Sequence, residues 1–333
     1  MQQPHTSRHG VPTIIAGPHT DACHGSVRWS PVKSTWWFVM TAGGVAAPLM
    51  YWSWSGLVIF LSLTATTLCF GHSLGMHRRL IHRSYECPRW MERLFVYLGT
   101  LVGMAGPVGM VRTHDLRDWA QRQPRCHDYF AHRRTFFHDA WWQLHCDLAL
   151  LHPPRFEVPE SLANDRFLMW VERSWMAQQL PWALLLWALG GPGWVLWGMC
   201  LRISVSLTGH WWVGHFAHRS GPQHWHVEGA AVQGHNVAGC GLISFGECWH
   251  NNHHAFPESA KLGLYPGQPD PGWWVLQALH ATGWVTNIRL PGSLPPRPEL
   301  RALDQNDRIH NTRANACAAH STEPVTQRQP HER

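Results

Sequence analysis

Residues Ser34–His77 read STWWFVMTAGGVAAPLMYWSWSGLVIFLSLTATTLCFGHSLGMH, without one lysine, arginine, aspartate or glutamate. A helix needs about 20 mostly apolar residues to cross a bilayer, so this run fits two such helices joined by a tight turn near Trp52–Gly56. Trp36, Trp37, Trp52 and Trp54 stand where an interfacial aromatic belt would lie. A second uncharged run, Ser174–Leu201, fits one helix and much of another, joined at Gly190-Gly191-Pro192-Gly193. We read both as membrane hairpins; the competing reading is two buried hairpins of a soluble bundle.

The composition agrees. Charged residues are 14% of the 333-residue chain, against ~25% in an ordinary soluble domain. Tryptophan and histidine are abundant, at 22 and 26 copies. Mean hydropathy is negative, but these two residue types score low and both ends are polar, so the runs weigh more than the mean. Arg28, Lys33, Arg78, Arg79, Arg83 and Arg173 flank the outer ends of the hairpins, and both turns are uncharged. The positive-inside bias then places both termini, and the middle of the chain, in the cytoplasm. That accounts for the net charge of +6; no basic run interleaved with stacking aromatics points to nucleic acid. The cysteines are scattered without a CxxC pair, which fits a reducing compartment. No secretory signal is legible at the N-terminus. The expected architecture is all-α: four transmembrane helices as two hairpins, with a cytosolic helical cap. Residues 1–34 read as a polar tail and 35–294 as the integral membrane domain, with hairpins at about 35–75 and 175–212. The cap comes from 76–174 and 213–294, and 295–333 is a polar, disordered tail.

Each hairpin runs into histidines. The first ends in His77-Arg78-Arg79-Leu80-Ile81-His82. Five residues of α-helix turn ~500°, leaving the two rings about 140° apart. His77 and His82 therefore meet at one site only if the helix ends or bends there, or each serves a different metal. His72, one turn deeper, reads as an interfacial histidine. His114 and Asp118 share a helical face at i,i+4, and His127 and His132 follow. The second hairpin continues to His215 and His218, an i,i+3 pair. Last comes Gly246-Glu247-Cys248-Trp249-His250-Asn251-Asn252-His253-His254-Ala255-Phe256-Pro257, whose three histidines can point into one pocket. Alone, that stretch is equally an exposed His-rich turn. Together His77, His82, His114, His218, His250, His253 and His254 are too many for one zinc and suit two redox-active first-row metals. Such metals beside a greasy bundle permit attack on unactivated C–H bonds, which no side chain can achieve. Arg202, inside the last apolar helix, implies a buried partner.

The arrangement resembles the membrane-bound fatty acid desaturases of the acyl-CoA and acyl-lipid delta-9 type. His77–Tyr85 (HRRLIHRSY) is similar to their first histidine box and Gly246–Pro257 (GECWHNNHHAFP) to their third. Trp211 and His218 are similar to a Trp and a His that precede that third box, and the similarity covers about residues 35–290. The resemblance implies a di-iron site of two iron ions, O2 as co-substrate, and insertion of a cis double bond into a fatty acyl chain. That chain would be bound to CoA, a carrier protein or a lipid, and electrons would come from a ferredoxin, rubredoxin or cytochrome donor. The second box departs. The family has HxxHH, but this chain reads His114-Asp115-Leu116-Arg117-Asp118. Arg117 stays protonated and cannot ligate; Asp118 can. We expect Asp118, with His127 or His132, to fill part of the gap, and His215 to compensate for Gly214, where the family has Asn. Glu247 and Asn236 are candidate hydrogen-bond partners of ligand histidines, and Trp211 a candidate wall of the acyl tunnel. Three competing readings are a di-iron hydroxylase, a non-catalytic relative and a His-rich metal transporter. A transporter's ligands should lie mid-membrane, not past the helix ends.

Overall fold

The computed structural model describes residues 13–304, and most of the expected disordered C-terminal tail lies outside that range. The described chain is mainly helical. Helix α1 is Pro31–Met50, and α2 is Trp54–Thr66, continued as a π-helix over Thr67–Ile81. The cap contains α3 (Arg89–Leu101), α4 (Pro107–Arg122), α5 (Asp128–Ala131), α6 (Phe136–His145), α7 (Glu160–Ala163) and α8 (Arg166–Arg173). Helix α9 (Gln179–Val195) passes through a π turn, Leu196–Leu201, into α10 (Arg202–Ala217). The cap is completed by α11 (His250–Ala255) and α12 (Pro271–Ala281).

The all-α expectation needs a correction. Three antiparallel two-stranded ribbons are present: β1 (Ile14–Ile15) with β4 (Arg155–Phe156), β2 (Gly25–Trp29) with β3 (Cys146–Leu150), and β5 (Trp225–Val227) with β6 (Leu300–Ala302). They tie segments assigned to the polar tails onto the cap. The reason is burial: Ile14, Val27, Leu148, Leu150 and Phe156 pack on the cluster around Trp119 and Phe130, and a loose tail would leave them in water.

Ser53 turns the first hairpin, its side chain accepting from Gly56 N at 3.0 Å. Trp54–Ile81 and Gln179–Ala217 are long and apolar enough to cross a membrane. The second of these is folded back on itself. Gly191 takes φ 68°, ψ −165°, a left-handed conformation glycine adopts without a Cβ clash. Arg202 Nη2 donates to Gln179 Oε1 at 2.8 Å, although the two lie 23 residues apart. A straight helix would separate them by about 34 Å. Val45, Leu49, Val58, Leu61, Leu184 and Leu189 are exposed on these helices, an apolar surface that a soluble bundle would bury.

Among the described residues the partners of Arg202 are carbonyl oxygens. Its guanidinium donates to Gly198 O (2.7 Å), to Leu101 O and to Gln179. Leu101 closes α3, where the last carbonyls lack helical donors, so the guanidinium caps a neighbouring helix. Helix α3 itself lies hard against the π-helix. A Cβ on Gly71 would sit 2.4 Å from Gly99 N, and one on Gly75 2.5 Å from Phe95 C.

Candidate metal centre

The π-helix decides how the first histidines meet. The His82 N–H donates to His77 O at 3.1 Å, an i→i+5 bond. Where hydrogen bonds close every five residues, residues five apart stand nearly one above the other. His77 and His82 have ring centroids 4.7 Å apart, and His72 stacks parallel to His77 at 6.3 Å. The 140° separation calculated for an α-helix is overturned by this wider one.

Two imidazole clusters result. The ligand nitrogens of His77, His82, His114 and His253 lie within 4.8 Å of one another, as do those of His218, His250 and His254. Helix α11 stands between the clusters. His253 faces the first group and His250 and His254 the second, so three histidines expected in one pocket are divided between two. In the first group His82 Nε2 and His114 Nε2 are 3.3 Å apart. In the second, His250 Nε2 is 3.0 Å from both His218 Nε2 and His254 Nε2.

These residues fit metal ions. His218 Nδ1 lies 2.8 Å from Gly214 O, so its proton sits there and its Nε2 offers a lone pair. One proton on His250 Nε2 cannot satisfy both of its contacts, and a cation resolves the convergence. With metal–nitrogen bonds of about 2.1 Å, ligand nitrogens at right angles are about 3.0 Å apart. Among the described residues, His253 Nδ1 is buried with no hydrogen-bond partner. Burial, reinforced by neighbouring imidazoles, pushes His82, His218, His250 and His253 well below the usual histidine range. His254 is pushed down to about 4 by burial, with Asp118 opposing. Neutral imidazole is the form that binds metal.

Carboxylates orient the first cluster. Glu247 Oε2 is 2.5 Å from His77 Nδ1, and Oε1 accepts from Ser73 Oγ at 2.6 Å. Burial would raise the Glu247 carboxyl, but His77 and Arg78 hold it well below the usual range. His114 Nδ1 is 3.1 Å from Asp115 Oδ1. Asn236 hydrogen-bonds to α11 itself: its Oδ1 accepts from Asn251 N at 3.0 Å and steadies the start of the helix, and its Nδ2 donates to Asn252 Oδ1 at 3.3 Å. Sequence reasoning passed over the two asparagines inside the motif. Asn251 bridges the backbone of His224, Trp225 and Gly234, and Asn252 donates to Leu262 O and Gln268 Oε1. It also misread Arg78 as a flanking charge. Arg78 is buried, with Nη2 2.8 Å from Asp270 Oδ1 and Nη1 2.7 Å from Ala260 O.

The altered second box has its own network. Asp139 is fully buried, and its Oδ2 accepts from His132 Nδ1 (2.8 Å), His215 Nδ1 (2.7 Å) and Trp211 Nε1 (2.9 Å). His132 Nε2 accepts from Arg117 Nη1 at 2.6 Å, and the His132 ring lies parallel to that of His218, centroids 5.2 Å apart. Trp211 is thus tethered to Asp139 and packed on Phe136. Asp118 sits one turn beyond His114, its Oδ2 3.4 Å from Arg122 Nη2. Burial would raise its carboxyl, but His114 and Arg122 hold it well below the usual range. His127 belongs to neither cluster: its Nδ1 accepts from Tyr129 N at 3.1 Å and caps α5. Nothing in the sequence singled out Asp139. His210 was also passed over. It meets His72 edge-on at 5.0 Å and is itself exposed.

Comparison with known proteins gives one consistent answer. The family model described as fatty acid desaturase matches residues 52–283. The sn-1 stearoyl-lipid 9-desaturase of Anabaena variabilis is 32% identical over 72% of this chain and 85% of its own length. The sn-2 palmitoyl-lipid 9-desaturase of Nostoc sp. (strain 36) is 30% identical over 79% of this chain and 90% of its own. An acyl-CoA 5-desaturase of Anemone leveillei is 29% identical over 76% of this chain and 77% of its own.

Proposed function

The chain belongs to the fatty acid desaturase family and is an oxidoreductase that desaturates fatty acyl chains, and from that premise we propose that the two histidine clusters are its di-iron centre. His77, His82, His114 and His253 would hold one iron, and His218, His250 and His254 the other. Asp118, whose charge is felt by both His114 and His254, would add an anionic oxygen donor. The carrying observation is the convergence of seven imidazoles from four distant segments into two groups.

When bound, the iron pair with O2 supplies the oxidising power to remove two hydrogens from adjacent methylenes. The chain's own residues position that chemistry. Glu247 Oε2, 2.5 Å from His77 Nδ1, would hold that ring, and Gly214 O holds His218 through Nδ1, which would leave each Nε2 for the metal. Asp139 holds His132, His215 and Trp211 as one unit beside His218. We assign the approach of the acyl chain to the exposed face at His210, whose ring meets His72 beside the first cluster. Helices α1, α2, α9 and α10 would form a four-span membrane stem. In it the arm Gln179–Gly190 is only about 18 Å long, and turn residues before it would complete the crossing. The metal centre and both termini would lie on the cytoplasmic side. By analogy with the relatives' names we propose an acyl-lipid or acyl-CoA substrate and a delta-9-like position. Electrons would come from a ferredoxin, rubredoxin or cytochrome donor.

Expression in a host that lacks the product, followed by mass spectrometry of its lipids, tests the reading. Acyl chains lighter by two hydrogens are the expected outcome. Chains heavier by one oxygen would replace the proposal with hydroxylation, and an unchanged lipid profile with a metal-loaded enzyme and a supplied donor would sink it.

A further inference from the structure

We propose that the two metal sites are unequal, the four-histidine site holding its ion firmly and the three-histidine site exchanging its ion, with Arg117 as the residue that sets the difference. This inference rests on the metal-centre reading above.

Ligand number is the first asymmetry: four imidazoles converge in one cluster and three in the other. Charge is the second. In the four-histidine cluster, Glu247 Oε2 lies 2.5 Å from His77 Nδ1 and Asp115 Oδ1 lies 3.1 Å from His114 Nδ1. A carboxylate on the far nitrogen raises the basicity of the ligand. In the three-histidine cluster the matching contact is a neutral carbonyl, Gly214 O at 2.8 Å from His218 Nδ1. Asp118 brings a negative charge to both clusters, and Arg122 shares it at 3.4 Å.

Arg117 is the third asymmetry. Its guanidinium stays protonated and has no lone pair to offer. It lies 2.6 Å from His132 Nε2, one parallel ring away from His218, where a fixed cation opposes a metal ion. It also engages the one nitrogen of His132 that is free to ligate, since Nδ1 faces Asp139 at 2.8 Å. Arg117 is itself anchored. Its Nη2 donates to Gln143 Oε1 at 2.8 Å, and its guanidinium carbon lies 5.9 Å from the Tyr129 ring centre.

The test is metal release from the full chain in lipid nanodiscs, loaded anaerobically with Fe2+ and mixed with excess chelator. Two ions per chain should leave in two phases, one about tenfold or more faster than the other, since lost supporting contacts change metal affinity about 10–100-fold. His254→Ala should remove the fast phase and His253→Ala the slow one. Arg117→Gln should slow the fast phase by removing the charge, and Arg117→His should slow it further by adding a donor. Release of two ions in a single phase by the unaltered chain would overturn the inference and leave the metal-centre reading intact. Two phases that both Arg117 variants leave unchanged would overturn the role of Arg117. A chain that binds no metal would overturn this inference and the reading beneath it together.

Discussion

Glu247 supports one imidazole and Asp139 two, and neither needs a metal to be recognised as a constraint. Glu247→Gln removes the anion beside His77 while keeping the shape. The expected result is about 10–100-fold weaker metal retention in the four-histidine cluster, read by metal analysis after dialysis. His132 gives a pH prediction. Burial, against the opposing pull of Asp139, pushes it down to about 4 from 6.5. Its folded pKa lies below its unfolded one, so the unfolded chain takes up the proton first. The stability it contributes is complete above about pH 6.5 and is lost as pH falls towards 4, by about 3 kcal/mol. Thermal melts of metal-free protein from pH 7.5 to 5 should show the decline, to which the buried cluster histidines add in the same direction, and His132→Gln should make it shallower. At this scale the sequence was legible by residue type. Histidines are rare enough in most chains that seven in short clusters beyond two apolar hairpins suggest ligands. Asp139 was illegible because a lone acid between Phe137 and Trp141 carries no pattern. Only the fold shows that three donors from α6's surroundings and α10 point at it.

Helices came through well, because periods of charge-free sequence are a local property. The turns near Ser53 and Gly191 followed from the same logic, the second with a glycine where φ must be positive. The π-helix did not come through. It belongs with the close approach of α3, which Gly71, Gly75 and Gly99 permit by lacking side chains, and that contact joins segments a sequence pattern does not relate. Gly75→Ala should therefore cost more than an ordinary helix substitution. The new methyl would stand 2.5 Å from the Phe95 backbone, and overpacking of this kind costs about 1–3 kcal/mol. A lowered melting temperature together with metal loss is expected. Gly209→Ala, which meets nothing within 4 Å, should leave both unchanged. Equal behaviour of the two variants would show that the helix contact does not set the histidine register.

Across the whole molecule, Arg78 joins the first histidine helix to the loop that carries Asp270 at the start of α12. Asp270→Ala would leave the buried guanidinium without its hydrogen-bonded carboxylate, with only Glu247 Oε1 at 3.6 Å from Nε. Breaking such a pair costs about 3–5 kcal/mol, so cooperative unfolding should begin at a clearly lower temperature. The proposed membrane arrangement has its own test. Cysteines placed at Trp52 and Gly191 should both react with an impermeant thiol reagent from the non-cytoplasmic side, and labelling of only one would refute the paired hairpins. What the sequence by itself determined is the part encoded by neighbours along the chain. It set the apolar hairpins, the seven candidate imidazoles and the anomaly of Arg117 and Asp118. The tertiary structure alone decided which imidazole meets which. His250, His253 and His254 share one short helix yet face two clusters, because each cluster is completed by residues brought from the π-helix, α4 or the end of α10. That assignment depends on how separate helices pack, and no periodicity within one segment records it.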